Sequence, residues 1–210
     1  MFFPFYTKLL RDMKRPFQKQ KSLLVLDVDE TLIHACETPL TREADFRVSQ
    51  FHVYRRPFLE EFLQACAEWY EIGVWSSASD QYVQHIVNEI FPDPDQLVFI
   101  CGACRTTLRK TDPSEFDRFP DGIGDYHARK NLSKLKSFGW SLERILIVDD
   151  SPEKVAGHYG NAIYPQPFIG QEGDDELCYL ASYLFELKDC SHVRKIEKRG
   201  WRRSVSPMKW

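Results

Sequence analysis

Residues 23–34 read "LLVLDVDETLIH": four apolar residues followed at once by Asp27, Asp29 and Glu30. Charge at the end of a core strand is costly to bury unless something pairs with it or uses it. Taken alone, an Asp-x-Asp is a turn, because Asp ends strands and caps helices. What these acids do therefore depends on what stands at the ends of the other strands.

Three more apolar runs resemble the first: "YEIGVWSS" at 70–77, "DQLVFICG" at 95–102 and "RILIVDDS" at 144–151, with a weaker "NAIYPQPF" at 161–168. The runs at 22–28 and 144–151 are continuously apolar rather than alternating, as in strands covered on both faces of a parallel sheet. Helical spacing lies between the runs. Phe58, Leu59, Phe62, Leu63, Cys66 and Trp69 follow Pro57, and Tyr82, Val83, Ile86, Val87 and Ile90 follow a cap at Ser79 or Asp80. A shorter helix, Leu132 to Phe138, stops at Gly139, and another starts behind Asp174 and Asp175 with Leu177, Leu180, Ala181 and Leu184. Strands alternating with helices predict an α/β parallel sheet with right-handed crossovers. Two segments break the alternation. Residues 35–56 contain the period-two pattern "ADFRVSQFHVYRR", expected as a small antiparallel hairpin, and residues 103–128 are a loop-rich insertion.

Composition limits the function classes. With 210 residues, 43% hydrophobic and 14% aromatic, the chain can bury a core. No apolar run approaches the roughly 18 to 20 residues of a membrane span, and the opening 17 residues are too broken by Pro and charge for a secretory signal. The expectation is a soluble intracellular protein, cytoplasmic or nuclear, and a monomer. The net charge of −3 is unevenly spread: the basic N-terminal segment 1–21 and the basic tail 191–210 together carry about +11, leaving about −14 for residues 22–190, the expected domain. Basic ends suit an acidic partner, an anionic membrane or nucleic acid, or fold back on the acidic body, which itself argues against a nucleic-acid-binding core. Of six cysteines only Cys101 and Cys104 form a C-x-x-C. A structural zinc site needs four ligands, and although Cys36 or His127 could add one, reduced thiols are the expected state.

In an open parallel sheet, ligands bind beyond the carboxyl ends of the strands. Three predicted strands end in polar groups: Asp27 and Asp29, Ser76 and Ser77, and Asp149 and Asp150. No G-x-x-x-x-G-K is present, so ATP is not expected as a substrate. Clustered carboxylates need a counter-ion, and an oxygen-only donor set suits magnesium, which shares its shell with water and a phosphate. A phosphoryl substrate follows, with one Asp as covalent nucleophile and another as proton carrier.

"DVDETLIH", "YRRPFLEEFL", "VWSSASDQYV", "RKNLSKL" and "ILIVDDSP", followed by "NAIYPQPFIGQEGDDEL", occur in the order and spacing of a known family. From about Leu23 to Leu187 the chain resembles the haloacid dehalogenase superfamily, in its carboxy-terminal-domain phosphatase, or NLI-interacting-factor-like, branch. The resemblance implies a haloacid dehalogenase-like, doubly wound Rossmann-like sheet. It implies Asp27 as nucleophile and Asp29 as acid/base, with the Asp27 carboxylate and the Asp29 backbone carbonyl on Mg2+. Ser76 would hold phosphoryl oxygens, with Ser77 the fallback if the alignment slips by one. Lys130, rather than Lys110, would neutralise the phosphate, and Asp149 and Asp150 would complete the metal site. Relatives often have Asn where Asp150 stands. Glu30 is expected outside the chemistry, with His34, Cys36 and Trp75 as packing residues. Arg105 is a further candidate for substrate phosphate.

The insertion between Leu32 and Pro57 has room for a hairpin but not a large cap domain, which favours a phosphate on a flexible macromolecular segment. The family implies phosphoserine or phosphothreonine in a protein or peptide. The hairpin is shorter than in relatives that grip a polymerase tail, and residues 103–128 are longer, so that tail is not assumed. Two other readings remain: a catalytically silent binding or scaffold module of the same fold, and a phosphatase of nucleic-acid ends or small phosphate esters.

Overall fold

The structure is a computed structural model that describes residues 21–110 and 126–210. The N-terminal segment up to residue 20 and the centre of the 103–128 insertion lie outside the described residues.

The chain order is β1 (Leu23–Leu26), β2 (Ile33–Cys36), β3 (Phe46–Val48), β4 (Phe51–Arg55), α1 (Leu59–Trp69), β5 (Glu71–Trp75), α2 (Asp80–Ile90), β6 (Ile100–Cys101), β7 (Thr107–Lys110), β8 (Tyr126–Arg129), β9 (Ile145–Val148), α3 (Pro152–Val155), β10 (Ala162–Ile163) and α4 (Glu176–Leu187). Five strands form one sheet in the order β10-β9-β1-β5-β6, every pair parallel. Starting from β1, the chain builds outward through β5 and β6, then returns to the other side of β1 for β9 and β10. The order therefore reverses between β1 and β9, where a doubly wound sheet opens its ligand crevice.

Both faces of this sheet are covered, which explains the unbroken apolar runs. Leu24 and Leu26 face a core shared with α1, α2 and α4, while Leu23 and Val25 face a second one shared with Trp75, Leu132, Leu135, Leu142 and Val155. Successive residues of one strand thus bury on opposite sides. Two expected helix ends are present: the Ser79 hydroxyl accepts from the Tyr82 amide, and Gly139 closes the 3-10 helix Leu132–Phe138 with φ 87°, a left-handed conformation that favours glycine. Pro57 is not in the first turn of α1, because Phe58 lies between them in a left-handed conformation, φ 64°.

The expected hairpin is β3–β4, and the structure adds β2 to it as a third antiparallel strand in the order β2-β4-β3. The ends of the 103–128 insertion pair with each other as the antiparallel ribbon β7–β8. The basic C-terminal segment, which charge alone could not place, is packed. Residues beyond 190 lie along the domain with Val193 and Trp201 buried, the Met208 amide donates to the Cys178 carbonyl, and Lys198 Nζ donates to the carbonyls of Gly160, Val193 and Ile196. The six cysteines are free thiols. Among the described residues, no helix is long and apolar enough to cross a membrane.

Candidate active site

Asp27 leaves β1 with its backbone amide on the Val148 carbonyl, and Asp149 leaves β9 with its amide on the Ile163 carbonyl. The sheet register therefore carries both carboxylates to the same end of neighbouring strands at the reversal point. Lys130, which follows β8 directly, reaches in from the side: its Nζ lies 2.7 Å from Asp27 Oδ1 and 2.6 Å from Asp149 Oδ2. All three side chains are buried. One buried cation between two buried anions leaves a net negative site. Asp150 adds a third carboxylate, and Asp27, Asp149 and Asp150 each offer an oxygen within 4.8 Å of the others.

This crowding acts on protonation. Burial, then the Asp27 charge, pushes the Asp149 carboxyl up to about 7 against the pull of Lys130 and Lys154. Burial and Asp27 likewise raise Asp150. Asp27 Oδ2 is buried and accepts no hydrogen bond, although Lys154 Nζ stands 3.8 Å away. An oxygen left without a donor beside two further carboxylates fits a small hard cation such as Mg2+, which takes oxygen ligands. Asp27, Asp149 and Asp150 are the side chains that would hold it.

Asp29 turns away from this cluster. Its Oδ1 accepts from the Tyr82 hydroxyl at 2.6 Å and its Oδ2 from the Ser76 hydroxyl at 3.3 Å. Burial, reinforced by Asp27, raises its carboxyl above the ordinary range even though both hydroxyls pull the other way. Burial and the Asp29 charge in turn hold the Tyr82 phenol well above its ordinary value, so it remains a donor. A buried carboxyl with a raised pKa is suited to carry a proton. Ser76 follows β5, its amide bonds the Cys101 carbonyl, and its Oγ also accepts from the Ala78 amide. The hydroxyl is thereby fixed beside Asp29.

Most of the expected residues converge. Asp27, Lys130, Asp149 and Asp150 form one cluster, with Asp29 and Ser76 bonded to each other next to it. The Asp29 side chain is not one of the three clustered carboxylates; only its backbone carbonyl was expected on the metal. Ser77 Oγ is buried without a partner, and Arg105 is exposed in a 3-10 turn after β6. No contact among the described residues brings either of them to the carboxylates. The alternative cation, Lys110, has its side chain outside the described residues. Glu30 sits at φ 56° with its carbonyl accepting from the Phe168 amide, and its carboxyl reaches His34 Nδ1 at 3.3 Å.

Three residues escaped the sequence reading. Lys154, in the single turn of α3, faces back toward Asp27, and its carbonyl accepts from the Lys130 amide. Burial opposes its charge, but Asp27, Asp149 and Asp150 outweigh burial and raise its pKa. Tyr82 is one of the residues at helical spacing along α2, and that spacing does not distinguish its phenol from the apolar side chains beside it. Arg56 is fully buried: its guanidinium pairs with both oxygens of Asp174 and donates to the carbonyls of Thr31 and Gln166. It ties the loop that carries Asp29 to the segment before α4. The signal was the doubled Arg of "YRRPF" next to a core helix, where one Arg had to point inward.

The chain resembles proteins that carry the word phosphatase in their names. The "CTD small phosphatase-like protein 2" of Dictyostelium discoideum is 28% identical over 181 residues, covering 83% of this chain and 29% of that protein. The human "Carboxy-terminal domain RNA polymerase II polypeptide A small phosphatase 1" is 29% identical over 183 residues, covering 84% of this chain and 63% of that protein. This chain thus spans less than two thirds of the length of either. The fission yeast RNA polymerase II CTD phosphatase Fcp1 aligns in three dimensions with a TM-score of 0.49 at 20% identity, over 78% of this chain and 44% of that one. The family model described as NLI interacting factor-like phosphatase matches residues 22–194, most of the chain, and the chain belongs to that family.

Proposed function

We propose that this protein is a magnesium-dependent phosphatase that removes phosphate from phosphoserine or phosphothreonine in protein substrates through an aspartyl-phosphate on Asp27. The observation that carries the reading is the Asp27–Lys130–Asp149 arrangement at the sheet's reversal point, with a raised-pKa Asp29 two residues from the nucleophile.

The Asp27 carboxylate attacks phosphorus, and the bond to the serine or threonine oxygen breaks as Asp29 gives that oxygen its proton. Asp29, now ionised, takes a proton from water as the water attacks the phosphoryl group, returning Asp27 as a carboxylate and releasing inorganic phosphate. Lys130 offsets charge on both Asp27 and the phosphoryl oxygens, and Ser76 can turn its hydroxyl from Asp29 to one of those oxygens. Tyr82 keeps Asp29 oriented throughout. Magnesium held by Asp27, Asp149, Asp150 and the Asp29 carbonyl would supply the remaining positive charge that the phosphoryl group needs.

The test is a comparison of rates, with magnesium, on a phosphoserine peptide and on a 3′-phosphorylated oligonucleotide, alongside Asp27→Asn. Faster turnover of the peptide, lost in Asp27→Asn, is the expected outcome. A preference for the oligonucleotide would move the substrate class to nucleic-acid ends, and no turnover of either would favour a binding module.

A further inference from the structure

Beside the carboxyl ends of β5 and β6 lies a small, partly open recess that the chemistry above does not use. Its walls are Trp75, Phe99, Cys101, Leu135 and Phe138, and two exposed cationic residues, Arg105 and Lys134, complete the lining. Typical small-ligand sites are concave and mostly apolar, with a few polar groups.

The recess is built rather than incidental. Gly73 of β5 lies under the Phe99 ring: a Cβ there would come within 2.5 Å of it, so the absent side chain lets the ring lie on the strand. Trp75 is almost fully buried, yet its indole Nε1 has no hydrogen-bond acceptor. Buried donors without partners are uncommon, and this one belongs to a wall of the recess. Lys134 Nζ donates to the Arg105 carbonyl at 2.7 Å, which joins the two cationic residues. Among the described residues, no carboxylate pairs with the Arg105 guanidinium.

Its position relates it to the catalytic groups. Trp75 immediately precedes Ser76, and the Ser76 amide bonds the carbonyl of Cys101, another wall residue. The recess and the Ser76 hydroxyl therefore adjoin the same strand end. Apolar walls call for an apolar side chain, the indole N–H for a carbonyl, and the two cations for an acid.

We propose that this recess receives an aromatic or branched aliphatic side chain of the phosphoprotein segment being dephosphorylated, with a neighbouring acidic residue of that segment on Arg105 and Lys134. The proposal rests on the phosphatase reading for its substrate class, but its binding step can be measured without turnover.

Two peptides carry the same phosphoserine; one has Phe-Glu placed at successive distances from it, the other Ala-Ala. At the best distance kcat/KM is expected to favour the Phe-Glu peptide by about tenfold or more, mostly through KM, as burial of one large apolar side chain implies. Arg105→Glu is expected to turn the preference from Phe-Glu to Phe-Lys, by roughly threefold, the scale of an exposed ion pair. Independently, the unphosphorylated Phe-Glu peptide should shift the Trp75 indole N–H resonance, assigned by its loss in Trp75→Phe, while Ala-Ala should not. A Trp75 indole unmoved at saturating Phe-Glu peptide overturns the proposal, as does equal kcat/KM for the two peptides at every distance. A shifted indole without hydrolysis of either phosphopeptide would uphold the recess and overturn the phosphatase reading instead.

Discussion

Asp29 and Asp27 are two residues apart, yet their surroundings give them different tasks. Asp27 touches a lysine, whereas Asp29 touches two hydroxyls and no cation closer than those. The Tyr82 contact is the more informative because its ring also packs edge-on against Phe51, at 5.9 Å between centroids, and would keep that contact without its hydroxyl. Tyr82→Phe should therefore fold normally and lose only the hydrogen bond to Asp29. A hydrogen bond to a charged group contributes about 1.5–3 kcal/mol, so kcat on an aryl phosphate should fall at least tenfold, with the circular dichroism spectrum unchanged. An unaltered kcat would show that Asp29 needs no such support. The sequence displayed Asp27, Asp29, Lys130 and Asp149 because they occur in ordered motifs that end strands. It did not display Tyr82 or Lys154. Helical spacing tells that Tyr82 lies on the inner stripe of α2, but not that its phenol reaches past the core to a residue 53 positions earlier. Lys154 sits in a turn whose direction is fixed only once Lys130 bonds its carbonyl.

At the scale of elements, the strands were legible because each is a short apolar run buried on both faces, and the helices because their stripes and caps agree. The segment after α4 was not, since charge dominates its composition. Seven Lys and Arg between 193 and 210 suit either a solvated tail or one folded back on the acidic body, and charge alone does not choose. The fold instead uses a few residues among them as anchors. Trp201 stacks near Tyr183, at 5.7 Å between ring centroids, and its Nε1 donates to the Tyr164 carbonyl; Arg202 pairs with Asp175 and Glu176 at the start of α4. Arg202 thus lies beside acids of the body while the Trp201 indole is buried. Replacing a buried Trp by Ala costs about 3–5 kcal/mol, and Trp201→Ala should lower the urea midpoint accordingly. A midpoint within error of wild type would mean that the segment is not part of the folded unit in solution.

Across the whole molecule, the strand order decides where the chemistry gathers. β1 and β9 are neighbours in space but more than a hundred residues apart in sequence, and the reversal between them brings Asp27, Asp149 and Asp150 together. The excess negative charge this creates destabilises the folded state until a cation offsets it. Mg2+ at about a hundred times its Kd should add about 2.7 kcal/mol of stability, a Tm rise of roughly 5 to 10 °C for a domain of this size. Chelation should reverse the rise and Asp149→Asn should abolish it; a Tm indifferent to Mg2+ would contradict the site. The parallel sheet and the strand ends that bring the carboxylates together were readable from the sequence, because alternating strands and helices leave few ways to connect. The third strand of the small sheet was not, as β2 follows the Asp27–Glu30 loop with no alternation of its own.

The central claim is a covalent phosphoryl group on Asp27. The direct measurement is to quench the enzyme with acid during turnover of a phosphoserine peptide in magnesium, reduce it with borohydride, and locate the modified residue by peptide mass spectrometry. An aspartyl-phosphate at position 27, reduced there to homoserine, is the predicted result. Label at another residue, or turnover persisting in Asp27→Asn, would contradict it.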